Sequence, residues 1–325
     1  MINKIKVEDA VGYPLLHDIT AIMTDGFKGV KYKRGHVITE EDIAGLKDIG
    51  KDHIYIGELE ADQVHEEDAI LALAPYLTGS NVEASPVSEG KVTLKSKVRG
   101  LFVINREALR AINASGDYTV TCIRSYTKVE EGTKLCGARI VPLWTSKETV
   151  DRALEAAKKF GPVFEVKPYK ELKVACIITG DEVFYGRIKD AFKPVLEDKL
   201  KEFPSTTLGY SFCPDDTSKI VEEFKKYKDM GADLVLFTGG MSVDPDDTTP
   251  RAIRETGSQV IVQGIPMQPG NMLMLAKLDG TYLMGVPGAS IHSKVTSFDH
   301  FLPRIFSGIE PKKEDFLEMA EGGLL

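Results

Sequence analysis

The spacing of apolar residues divides the chain at about residue 172. Before that point, short apolar runs alternate with turns. Gly35–Ile38 reads as a strand, and Thr39 as the cap of a short helix ending near Gly50. Asp42 occupies the position where a full capping box favours Glu or Gln. Ile54–Ile56 is extended. Ala69, Ile70 and Leu73 then fall at helical spacing, and Pro75 is predicted to close that helix. His65-Glu66-Glu67-Asp68 supplies its charged first turn. From Asn81 to Leu143 the pattern is strand-like, with a short helix over Asn105–Ile112. A helix over Lys147–Lys158 breaks at Gly161-Pro162, and Pro168–Glu171 reads as a linker.

From Leu172 onward, strands and helices alternate, the sign of a parallel α/β sheet. Strands are predicted at Val174–Ile178, Thr207–Cys213, Leu234–Phe237, Gln259–Val262 and Tyr282–Val286. A helix over Ile188–Phe203 turns Ile188, Phe192, Val195, Leu196 and Leu200 inward. A second carries Ile220, Val221, Phe224 and Tyr227, capped by Asp215 or Asp216. The last runs through Val295, Phe298 and Leu302. The expected architecture is a doubly wound, mostly parallel α/β sheet preceded by a β-rich α+β amino-terminal region. Its parts are a small α+β region at 1–80, a β-rich domain at 81–168, the α/β domain at 169–310 and a tail at 311–325.

At 325 residues the chain has room for two or three domains. A formal charge of −8, spread along the sequence, argues against a nucleic-acid surface. No apolar stretch reaches spanning length and the amino end is not signal-like, so a cytoplasmic protein without membrane contact is expected. Cys122, Cys136, Cys176 and Cys213 stand far apart and read as reduced thiols.

Chemistry concentrates where strands end. Thr179-Gly180-Asp181-Glu182, Pro214-Asp215-Asp216, Thr238-Gly239-Gly240-Met241-Ser242 with the following aspartates, and Val286-Pro287-Gly288 all fall on one predicted sheet edge. The glycines let a backbone approach an anion, and free amides there favour one. The carboxylates of Asp181, Glu182, Asp215, Asp246 and Asp247 have the wrong sign for phosphate unless a hard cation such as Mg²⁺ lies between. Helix capping is the competing explanation for each carboxylate taken singly.

These motifs, with Asp247-Thr248-Thr249-Pro250 and Gln268-Pro269-Gly270, resemble the molybdopterin-binding domain of molybdenum-cofactor biosynthesis proteins. The Gly-Gly-x-Ser-Val and Thr-Gly-Asp-Glu pieces resemble the molybdopterin molybdenumtransferases, and Asp247–Pro250 the adenylyltransferases. The chain departs from the family at Ala191-Phe192, where the pattern has Ser-Asn, and at Ala289-Ser290, where it has Asn-Pro. Little chain remains after Gly308 for the family's carboxyl-terminal β-domain.

The resemblance implies a transferase that binds molybdopterin, or its adenylylated form, and inserts molybdate with Mg²⁺. Thr179, Gly180, Asp181, Thr238, Gly239, Gly240, Met241, Ser242, Pro269, Gly270, Pro287 and Gly288 would contact the cofactor. Glu182, Asp215 and Asp247 would be catalytic, and Glu182, Asp246 and Asp247 would hold the metal. A homodimer and a molybdenum or tungsten apo-enzyme partner are implied in the same way. The alternatives are a non-catalytic molybdopterin carrier or sensor and a molybdopterin adenylyltransferase.

Overall fold

The computed structural model describes residues 2–23, 26–242 and 247–325. The chain divides into two compact units, Met1–Lys167 and Pro168–Leu325. The first takes in both stretches that the sequence pattern separates near residue 80.

In the first unit, Thr39 caps the helix Glu40–Asp48, and Asp42 completes a capping box by accepting the Thr39 backbone N–H at 2.9 Å. An aspartate is long enough for this role. His65 caps the helix Glu66–Leu77, its Nδ1 accepting the Glu67 N–H at 3.2 Å. That helix runs through Pro75 rather than ending before it. Leu73 and Leu77 are both fully buried, so the apolar stripe outlasts the proline. In the last turn, proline forfeits only the backbone bond to residue 71. The helices Glu66–Leu77 and Lys147–Phe160 pack together beside an antiparallel sheet ordered Val82–Ala84, Lys91–Ser96, Lys134–Ile140, Tyr118–Cys122. Phe102 and Phe164 stack at 5.6 Å within this core.

The second unit is built on one twisted sheet. Its strands are β1 (Leu172–Thr179), β2 (Ser205–Cys213), β3 (Leu234–Thr238), β4 (Gln259–Gln263), β5 (Met274–Leu278) and β6 (Thr281–Gly285). Their order is β2-β1-β3-β6-β5-β4. The first four in that order run parallel; β5 runs against them, and β4 pairs antiparallel with β5 and so points the same way as β6. The Gln259 strand therefore pairs with none of the parallel strands, because β5 lies between it and β6. Helices α1 (Asp181–Phe184), α2 (Phe192–Leu200), α3 (Thr217–Asp229), α4 (Thr249–Glu255), α5 (Ser297–Phe306) and α6 (Lys313–Leu317) complete the unit. Separate apolar clusters occupy the two faces of the sheet. One is centred on Val174, Leu196, Phe298 and Phe301, the other on Ile177, Phe224, Phe237 and Ile253. Being buried on both faces, β1 and β3 read as continuous apolar runs.

Two helix starts differ from the sequence reading. Ile188 is 55% exposed, because α2 begins only at Phe192, where Asp190 accepts the amides of Phe192 and Lys193 at 3.0 and 2.8 Å. Val295 is also exposed, since Thr296 and Asp299 form the capping box that starts α5. The segment after Gly308 joins the core. Phe316 in α6 is fully buried and stacks on Phe301 at 4.1 Å. Among the described residues, no helix is long and apolar enough to cross a membrane.

Candidate functional site

Because β1, β2, β3 and β6 run parallel, the loops that leave them emerge along one edge of the sheet. A cavity of about 370 Å³ opens there. Gly239, Gly240, Met241, Ser242 and Asp247 line it from the loop after β3, and Gly288, Ala289 and Ile291 from the loop after β6. Phe192 at the start of α2 and Met272 ahead of β5 close the sides.

The glycine pair is required by the backbone. Gly239 has φ +82°, and a Cβ on it would collide with the carbonyl oxygen of Thr179. Gly240 has φ +50°, with the Thr249 hydroxyl 3.2 Å from where its Cβ would lie. That hydroxyl is itself hydrogen-bonded to Thr179 Oγ1 at 2.9 Å, which ties the ends of β1 and α4 together beneath the turn. The Met241 thioether fills the space that a side chain at Gly285 would need. The turn is thus locked from below while its upper side faces the cavity.

The carboxylates gather beside it. Asp181 and Asp215 bind each other's backbone: the Asp181 N–H donates to Asp215 Oδ2 at 3.0 Å, and the Asp215 N–H to Asp181 Oδ1 at 3.2 Å. The other Asp215 oxygen, Oδ1, is buried without a partner. Burial pushes the Asp215 carboxyl above its ordinary range. The bond from the Asp181 amide pulls it back, and the negative charges of Asp181, Glu182 and Asp247 push it up again. Three carboxylates therefore lie within electrostatic reach of Asp215. Asp216, not Asp215, caps α3. Two further polar atoms at this edge, Thr238 Oγ1 and Thr248 Oγ1, are buried and unpartnered. Among the described residues no three His, Cys, Asp or Glu side chains form a group ready to hold a metal ion. Asp246 lies outside the described residues, as does Asp244.

Of the residues expected to contact a cofactor, Gly239, Gly240, Met241, Ser242 and Gly288 line the cavity. Thr179 and Thr238 are buried under the turn. Gly180 bends the chain into α1 at φ +136°, and Asp181 and Glu182 are exposed on α1. Gly270 packs on α5, where Ser297 Oγ donates to its carbonyl at 2.6 Å. Pro269 is part-buried and Pro287 buried, and neither lines the cavity. Phe192, Met272 and Ile291 were not expected there. Phe192 reads from the sequence as a core-facing helix residue and as a departure from the family pattern, while Met272 and Ile291 belong to no motif.

Residues 175–307 match a family model described as "Probable molybdopterin binding domain". Residues 4–58 match a second model, described only as a domain of unknown function. A Haemophilus influenzae protein named molybdopterin molybdenumtransferase is 29% identical over 150 residues, covering 44% of this chain and 37% of that protein. A Staphylococcus epidermidis protein of the same name is 30% identical over 131 residues, covering 38% of this chain and 31% of its own. The chain thus spans about a third of the length of these curated relatives. A solved structure of the molybdopterin biosynthesis enzyme MoaB from Thermus thermophilus aligns with 41% of this chain and 91% of its own, at 23% identity and a TM-score of 0.36.

Proposed function

We propose, from a carboxyl-terminal unit that carries a probable molybdopterin binding domain at residues 175–307, that this protein binds molybdopterin and acts in molybdenum-cofactor biosynthesis by metal insertion. The observation that carries the reading is the glycine cavity at the carboxyl edge of the parallel strands, with two buried, unpartnered oxygens, Asp215 Oδ1 and Thr248 Oγ1, on the same edge. Buried polar atoms are rarely left without partners, so this edge suits a polar ligand.

In this reading the amides and hydroxyl of Gly239, Gly240 and Ser242 receive the phosphate end of the cofactor. A raised Asp215 carboxyl among three other carboxylates suits a hard cation, which would neutralise charge between them and the phosphate. Asp215, Asp247 and Glu182 are the residues that would hold it. Mg²⁺ commonly takes one or two carboxylates plus phosphate oxygens and waters, so no ready-made group of three is needed. The protein's own part is positioning and charge neutralisation, with no covalent nucleophile.

Among the described residues the cavity lining contains no Lys, Arg or His, which favours a non-catalytic carrier as the second reading. Reconstitution of a molybdenum apo-enzyme, with and without molybdate and ATP, separates the possibilities. Insertion requires molybdate and restores activity. Adenylyl transfer consumes ATP, and a carrier delivers only preloaded cofactor. No stimulation in any arm, together with no molybdopterin binding, would overturn the proposal.

A further inference from the structure

We infer that Phe192 is a stacking wall of this cavity, holding the flat heteroaromatic ring of the ligand while its anionic end lies at Gly239 and Gly240. The inference rests on the molybdopterin reading and adds to it the residue that recognises the ring. Phe192 opens α2 half-buried, and its side chain lines the cavity. Its backbone is anchored, with the amide donating to Asp190 at 3.0 Å, so the root of the side chain is fixed. Among the described residues its ring pairs with no other ring, whereas Phe184 packs on Tyr185 at 5.1 Å and Phe203 on Phe306 at 4.5 Å. An anchored aromatic ring on a cavity wall, paired with no other described ring, suits stacking on a flat ligand.

The rest of the lining sorts by polarity. Met272 and Ile291 are apolar and come from outside the glycine loop, and a thioether makes favourable contacts with aromatic ligands. The polar side chains, Ser242 and Asp247, come from one loop, as do the amides of Gly239 and Gly240. A ligand with a flat ring at one end and phosphate at the other matches that division. The volume of about 370 Å³ lies in the range of small-molecule sites.

The test is equilibrium titration of the full chain with molybdopterin, and separately with inorganic pyrophosphate, for the wild type and for Phe192→Tyr, Phe192→Leu and Phe192→Ala. Phe192→Tyr should bind molybdopterin within about threefold of wild type. Phe192→Leu and Phe192→Ala should weaken it roughly fivefold to tenfold, the scale of a lost aromatic pair. Pyrophosphate affinity should be the same in all four proteins. Leucine fills space without a π-face, so Leu binding as tightly as Tyr overturns the stacking role even if the alanine variant fails to fold. Wild-type protein that binds no molybdopterin overturns the functional reading, and this inference with it.

Discussion

At the scale of single residues, the proposed site depends on Gly239 and Gly240 and on Asp215 and Asp247. Gly239→Ala places a methyl group against the Thr179 carbonyl at a positive φ, and should cost more than about 1 kcal/mol of stability, read as a lowered melting temperature. Gly240→Val is strained too at φ +50°, but its Cβ meets its neighbours less closely, the Thr249 hydroxyl at 3.2 Å and the Thr248 amide nitrogen at 3.4 Å. We expect it to lose far more ligand affinity than Lys189→Ala. Lys189 lines a neighbouring apolar hollow with Phe184 and Phe212, not the glycine cavity. Equal losses in a titration would count against recognition by backbone. Asp215 adds a check that needs no ligand. Its carboxyl is raised by burial and by three like charges, so the folded state disfavours the ionised form. The stability it contributes is full below the unfolded aspartate pKa and is lost as pH rises through the folded one. Asp215→Asn should therefore melt higher than wild type at pH 7 without metal, and the gain should vanish under acid conditions. The glycines were legible in the sequence because a glycine pair at the end of a strand lets backbone approach a ligand closely. Phe192 and Met272 were not, since an apolar side chain lining a cavity has the same pattern as one filling a core.

Among the elements, strands buried on both faces and capped helices were readable, and the hairpin was not. Met274–Leu278 contains no β-branched residue and lacks the alternation of a half-buried strand. Its signal was the Asp279-Gly280 turn, with φ values of +46° and +92°, which joins it to Thr281–Gly285. The helix Glu66–Leu77 carries a prediction of its own. His65 must be neutral to accept the Glu67 amide through Nδ1. Burial holds its pKa below the ordinary value and the Arg34 charge lowers it further, against the opposing pull of Glu67, Asp68 and the Leu16 backbone. His17, close enough to be coupled to it, is lowered mainly by burial as well. A depressed histidine pKa stabilises the fold above the unfolded value of about 6.5, and that stability is lost as pH falls through the folded value. The melting temperature should drop across that window, and His65→Asn, which keeps a capping oxygen, should flatten the drop. An unchanged pH profile in the variant would remove His65 as its source.

On the scale of the whole molecule, the change of pattern at Leu172 marks where strand–helix alternation begins, and the second compact unit starts at Pro168. Its carboxyl-terminal end was harder to read. Residues after Gly308 look like a charged tail, yet Phe316 within them is fully buried against Phe301. A fragment ending at Gly308 should be less stable than one running from Pro168 to Leu325, and Phe316→Ala in the full chain should cost about 3 kcal/mol or more. Chemical denaturation of the three proteins checks this.

The central claim, a glycine cavity that binds molybdopterin beside a carboxylate-held cation, is tested most directly by measuring molybdopterin affinity with and without Mg²⁺ for wild type and Asp247→Asn. Thr248 rather than Asp247 stands at the start of α4, so the substitution should leave the fold intact. The account predicts that wild type binds more tightly when Mg²⁺ is added. The variant should lose that dependence while keeping, or improving, its metal-free affinity. Identical Mg²⁺ dependence in the two proteins, or no binding by either, would contradict it.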